Sequence, residues 1–102
     1  MLKQITVEEL KALKDAGSPF ILDVREVHEF AAGHVPGAVS IPMALIPLRV
    51  SELPRMEPMY VICEAGGRSA QSCMWLEQQG YDVTNVVGGT GTWRMSGFEI
   101  EQ

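Results

Sequence analysis

Met59-Tyr60-Val61-Ile62-Cys63-Glu64-Ala65-Gly66-Gly67-Arg68-Ser69 is the stretch on which the reading of this chain turns. The unbroken apolar run from Met59 to Ile62 has the pattern of a strand buried on both faces, and a helix-forming segment follows from Ser69 to Gln79. Cys63 therefore stands at a strand-to-helix turn. Gly66 and Gly67 let the backbone curl closely around whatever the sulfur carries, while the loop amides and the positive end of the following helix favour a thiolate or an anion. The thiolate is the nucleophilic form of cysteine, and a helix N-terminus beside an arginine lowers a cysteine's pKa. These residues describe the seat of a nucleophile.

Outward from the loop, strands and helices alternate. Thr6-Val7-Glu8-Glu9 reads as a capping box that opens a helix with Leu10 and Leu13 on its buried face, ended by Gly17. Phe20 to Val24 is a short apolar strand, a helical piece runs from about Glu26 to Ala32, and Gly33 closes it. Pro36-Gly37 turns the chain into a brief strand, Ala38 to Ile41, before Pro42. Pro47 is welcome in a first helical turn, which places a helix from about Ile46 to Leu53. In the segment after the loop, Ala70, Cys73, Met74 and Glu77 mark one side of the helix, and Gly80 caps its end. Asp82 to Val87 reads as a further strand, followed by Gly88-Gly89-Thr90-Gly91 and a short helix around Thr92 to Met95. The expected fold is α/β, a mostly parallel central sheet of about five strands with helices on both faces. Ligands in such folds bind at the carboxyl ends of strands, where the Cys63 loop lies.

A chain of 102 residues has the length of one domain, residues 1–102, with a single core. Hydrophobic residues make up 46%, which is ordinary for a globular protein. No apolar run approaches the roughly 20 residues that span a bilayer, and no leader pattern opens the chain, so no membrane partner and a cytoplasmic location are expected. A formal net charge of −5 argues against nucleic acid as a partner, because phosphate backbones select basic surfaces. Any anionic substrate has to be drawn in locally. Cys63 and Cys73 form no Cys-x-x-Cys pair, and Cys73, well inside a helix, reads as a small buried hydrophobe. His28 and His34 have no cysteine or carboxylate at zinc-like spacing to both, so no metal is expected, and His34 reads as the anchor of a turn. Met43 to Ile46 is read as burial against the sheet, with a partner-docking patch as the alternative.

Three separated motifs resemble those of single-domain rhodaneses, the thiosulfate sulfurtransferase-like family. They are Leu22-Asp23-Val24-Arg25-Glu26 continuing through Glu29-Phe30 to Gly33-His34-Val35-Pro36-Gly37-Ala38; the loop Cys63, Gly66, Arg68, Ser69; and Gly88-Gly89 followed by Trp93 and Gly97. Their order and spacing extend the resemblance over nearly the whole chain. It implies that Cys63 attacks the outer sulfur of a small donor, holds it as a persulfide, and passes it to a thiol or cyanide, with no cofactor. The loop Glu64, Ala65, Gly66, Gly67, Arg68 and Ser69 would bind the donor and the persulfide, and Arg68 together with converging amides would stabilise the terminal sulfur. Ping-pong kinetics should follow.

Loop length separates sulfur from phosphate chemistry. Related phosphatase domains place an arginine one position later, which widens the cradle for a phosphoryl group; here Arg68 precedes that position and Ser69 occupies it. Glu64 departs from the basic residue that many thiosulfate-using relatives carry. It would either repel a dianionic donor or face solvent, where screening makes it neutral in effect. Asp23 and Arg25 are expected to build loop-supporting hydrogen bonds. Trp93 either walls the site or belongs to the core. Two other functional readings remain beside the enzyme: a sulfur carrier that serves a protein acceptor, and a catalytically silent interaction module.

Overall fold

The apolar run before the cysteine forms the middle strand of a parallel sheet. In the computed structural model, which describes residues 1–102, the strands are β1 (Lys3–Ile5), β2 (Phe20–Asp23), β3 (Val39–Ser40), β4 (Met59–Ile62) and β5 (Val83–Val86). The helices are α1 (Val7–Ala16), α2 (Val27–Ala32), α3 (Ile46–Arg49), α4 (Gly67–Gln78) and α5 (Gly89–Met95). The sheet order is β1-β5-β4-β2-β3, with every neighbouring pair parallel. Register pairs Leu22 with Val61 and Asp23 with Ile62, so the ends of β2 and β4 lie side by side. That places Arg25 next to the loop that leaves β4.

The pleat divides the core into two layers. On one face Leu22, Val24, Val61, Cys63 and Val83 pack with Ile46 of α3 and with Cys73 and Leu76 of α4. On the other, Ile21, Ile62 and Val86 meet Val7 and Leu10 of α1 and Trp93 of α5. No helix is long and apolar enough to cross a membrane.

Several boundaries differ from expectation for identifiable reasons. β1 is a three-residue edge strand of mostly exposed residues, with too little apolar pattern to announce itself; it forms because Lys3, Gln4 and Ile5 find partners at Thr84, Asn85 and Val86. The capping box at Thr6 is present, with both reciprocal hydrogen bonds to Glu9. The segment expected as one helix from Ile46 to Leu53 is α3 flanked by 3-10 turns at Met43–Leu45 and Val50–Glu52, and Pro47 does lie in the first turn of α3. Within Met43 to Ile46 only Ile46 is buried, while Ala44 and Leu45 are exposed.

The face of α4 also needs correction. Its buried stripe is Ser69, Ser72, Cys73 and Leu76, whereas Met74 and Glu77 are exposed. Serine can take core positions here because its hydroxyl is satisfied: Ser72 donates to the Arg68 carbonyl at 2.9 Å. α5 begins at Gly89, earlier than the expected Thr92.

Candidate active site

Cys63 follows the last residue of β4, and the chain then folds back over its sulfur. The turn is made at Gly66, whose φ of +108° is left-handed and suits glycine, and α4 starts immediately after it. That geometry aims the Gly66 amide at the cysteine Sγ, 3.0 Å away. Ser69, in the first turn of α4, brings its Oγ to 3.3 Å from the same sulfur.

The Ser69 hydroxyl has one proton and three acceptors within reach: Cys63 Sγ, the Gly66 carbonyl at 3.2 Å and Asn85 Oδ1 at 2.5 Å. The shortest contact is to Asn85, which in turn donates from Nδ2 to the Gly66 carbonyl at 3.4 Å. The backbone amides are therefore the fixed part of the cradle, and the serine proton is the movable part. Burial pushes the Cys63 thiol up, but the Ser69 hydroxyl and the amides of Ser69, Gly66 and Ala65 outweigh it, and the thiol ends below its ordinary value. Cys63 is 1% exposed, so its sulfur lies at the floor of the loop.

The first turn of α5 braces this loop from behind. The Thr90 amide donates to the Cys63 carbonyl at 2.8 Å and the Gly91 amide to the Glu64 carbonyl at 2.9 Å. So close an approach requires glycine at position 89, where φ is +60° and a Cβ would stand 2.5 Å from the Cys63 carbonyl oxygen. Position 89 thus requires glycine on steric grounds.

The charged residues form two separate sets. Arg25 is buried, binds Asp23 through a bidentate pair with contacts of 2.8 to 3.1 Å, donates to the Gly33 carbonyl at 2.9 Å, and reaches Glu64 Oε1 at 3.1 Å. Arg94 meets the other Glu64 oxygen at 3.1 Å. Glu64 is thus part-exposed but paired on both oxygens; it ties the loop to the segment after β2 and to α5. Of the two residues expected to support the loop, Arg25 contacts it through Glu64, while the Asp23 carboxylate bonds only Arg25. Arg68 forms the second set with Glu29, at 2.7 and 2.9 Å, so the guanidinium expected to serve the terminal sulfur is engaged by a carboxylate. Ala65 in the loop and Gly67 at the start of α4 are exposed. Trp93 takes the core option: it is 1% exposed, its indole N–H donates to the Glu99 carbonyl at 2.8 Å, and its ring meets Phe98 edge-on. His34 stacks on Phe30 and hydrogen-bonds the Phe30 carbonyl, which fits a turn anchor.

Glu29, Asn85 and Arg94 were not singled out from the sequence. Asn85 had a usable signal, an amide side chain in a strand flanked by valines, where burial demands a partner. Glu29 lay within the first motif without an assigned contact. Nothing local marks Arg94.

With the loop geometry in hand, comparison with known proteins decides the family. The model of the rhodanese-like domain matches residues 6–96. The chain belongs to the rhodanese-like family. A sulfurtransferase of Allochromatium vinosum is 39% identical over 98% of this chain and 95% of its own length. A thiosulfate sulfurtransferase of Pseudomonas savastanoi is 31% identical, covering 90% of this chain and 87% of its own. Among solved structures, a rhodanese-like domain protein from Staphylococcus aureus superimposes with a TM-score of 0.89 at 39% identity, over 99% of this chain and all of that one. The parallel α/β fold of this chain is that of its rhodanese-like neighbours.

Proposed function

We propose that this rhodanese-like protein is a sulfurtransferase that carries a sulfane sulfur on Cys63. The observation that carries the reading is the cysteine Sγ at the centre of a loop whose Gly66 amide points at it from 3.0 Å. The Cys63 thiolate attacks the terminal sulfur of a donor; the Sγ–S bond forms as the donor's own sulfur-sulfur bond breaks, and the leaving group departs with the electron pair. The new terminal sulfur is anionic, and the amides that lowered the thiol's pKa would stabilise it in place. A cyanide or thiol acceptor then attacks that sulfur, and Cys63 leaves as a thiolate. The loop of this chain, with Arg68 before Ser69, suits a sulfur atom better than a tetrahedral phosphoryl group.

Steady-state kinetics with a sulfane donor and cyanide test this reading. Parallel double-reciprocal lines are expected, along with loss of thiocyanate formation in Cys63→Ser and its retention in Cys73→Ser. Equal loss in both variants would point to a two-cysteine redox mechanism instead.

A further inference from the structure

The loop of a protein that handles anionic sulfur would be expected to hold a free cation, and here none is free. Each guanidinium around it is already matched: Arg25 by Asp23 and Glu64, Arg94 by Glu64, and Arg68 by Glu29. Arg68 stands in the first turn of α4, one residue before Ser69, whose hydroxyl reaches the Cys63 sulfur. Its two terminal nitrogens each donate to a different oxygen of Glu29, so the fork that would clasp an incoming oxyanion is filled from within.

Glu29 is not free to swing aside. Its Oε1 also accepts the Glu26 amide at 2.9 Å, the reciprocal half of a capping box at the start of α2. The hydrogen bonds from Arg68 hold its carboxyl down at about 2, so it stays charged at any working pH. The pair is partly open to solvent, with side-chain exposures of 35% for Arg68 and 25% for Glu29, so an approaching donor meets the carboxylate together with the guanidinium.

We infer that Glu29 sets the donor class: by occupying the Arg68 fork, it disfavours the thiosulfate dianion and favours singly charged sulfane donors, namely thiosulfonates and persulfides of thiols. This rests on the sulfur-transfer reading of Cys63. With a thiosulfonate, the Cys63 thiolate bonds to the terminal sulfur, the donor S–S bond breaks, and a sulfinate leaves with the electron pair. With a persulfide, the same displacement releases a thiolate. Neither step needs an outside oxidant or reductant.

The test compares thiosulfate with methanethiosulfonate, which carries one charge fewer on a similar sulfonyl body, using cyanide as acceptor. In the unaltered protein the Michaelis constant for thiosulfate should exceed that for methanethiosulfonate, and it should fall as ionic strength rises, because screening weakens a repulsion. Glu29→Gln should lower the thiosulfate constant about tenfold and the methanethiosulfonate constant only about threefold, because a monoanion feels half the repulsion of a dianion at the same distance. The gain should vanish in Glu29→Gln/Arg68→Ala. A thiosulfate constant that rises with salt in the unaltered protein overturns the proposal, and that measurement requires no variant to fold. Equal changes with both donors overturn it as well, and would leave Glu29 a mere prop for Arg68.

Calorimetry of thiosulfate binding in a Cys63→Ser background separates this inference from the one beneath it. Tighter binding on adding Glu29→Gln, with no turnover of either donor by the unaltered protein, would sink sulfur transfer while keeping the role of Glu29. Unchanged binding would sink the role of Glu29 itself.

Discussion

Cys63 and Cys73 are equally buried, at 1% and 0% exposure, and they belong to the same core layer. Their chemistry nevertheless diverges. Burial pushes the Cys73 thiol up to about 12, with further upward pushes from the charges of Glu77 and Cys63, because α4 spends its amides on its own carbonyls and has none to offer a side chain in its interior. Burial acts on Cys63 in the same direction, yet that thiol ends below its ordinary value, since the Ser69 hydroxyl and the unspent amides of the loop and the first helical turn are directed at it. Desolvation alone makes a cysteine inert; desolvation with directed donors makes it a nucleophile.

The largest expected effect sets the two sulfurs against each other directly. Alkylation of the native protein by iodoacetamide near neutral pH should modify Cys63 about a thousandfold faster than Cys73, in line with their thiolate fractions. The Cys63 rate should rise with pH and level off below the ordinary thiol value, whereas Cys73 should still be climbing at the highest pH the fold tolerates. Comparable rates would remove the contrast altogether.

Gly89→Ala should produce the next largest change. A Cβ at this position would collide with the Cys63 and Glu64 carbonyls at 2.5 and 2.6 Å, so the loop has to shift and its amides lose their aim. Overpacking of this kind costs about 1–3 kcal/mol, readable by denaturant titration, and the Cys63 alkylation midpoint should move upward with it. A destabilised protein with an unmoved midpoint would show that the brace from α5 matters to folding but not to the thiolate.

Ser69→Ala should be the mildest. The Ser69 proton is divided among three acceptors, so its removal should raise the alkylation midpoint in part, with the amides of Ser69, Gly66 and Ala65 retaining the rest of the lowering. A midpoint restored to the ordinary thiol value would shift the whole role from the backbone to the hydroxyl.

What could be read from the residues followed from locality. The β4 strand, the glycine turn and α4 are contiguous, so an apolar run, a pair of glycines and a helical segment were enough to place Cys63 at the carboxyl end of a parallel strand. The role of Glu64 was not legible, because its partners lie 39 residues before it and 30 after it, and only the packing of β2 and α5 against the loop brings them together. Arg68 misled for the same reason: its charge suggested a receptor, and the carboxylate that fills it comes from α2, again 39 residues away. Edge strand β1 escaped notice because its stability comes from pairing with β5, while its own side chains are largely exposed.

The central proposal is that Cys63, activated by the loop amides and the Ser69 hydroxyl, takes up the transferred sulfur while Cys73 does not. Peptide mass spectrometry of the native protein after exposure to methanethiosulfonate, before any acceptor is added, tests it most directly. One additional sulfur atom should appear on the Cys63 peptide, be absent from the Cys73 peptide, and disappear when cyanide follows. Sulfur on Cys73, a disulfide between the two cysteines, or an unmodified Cys63 under conditions where iodoacetamide labels it readily would contradict the account.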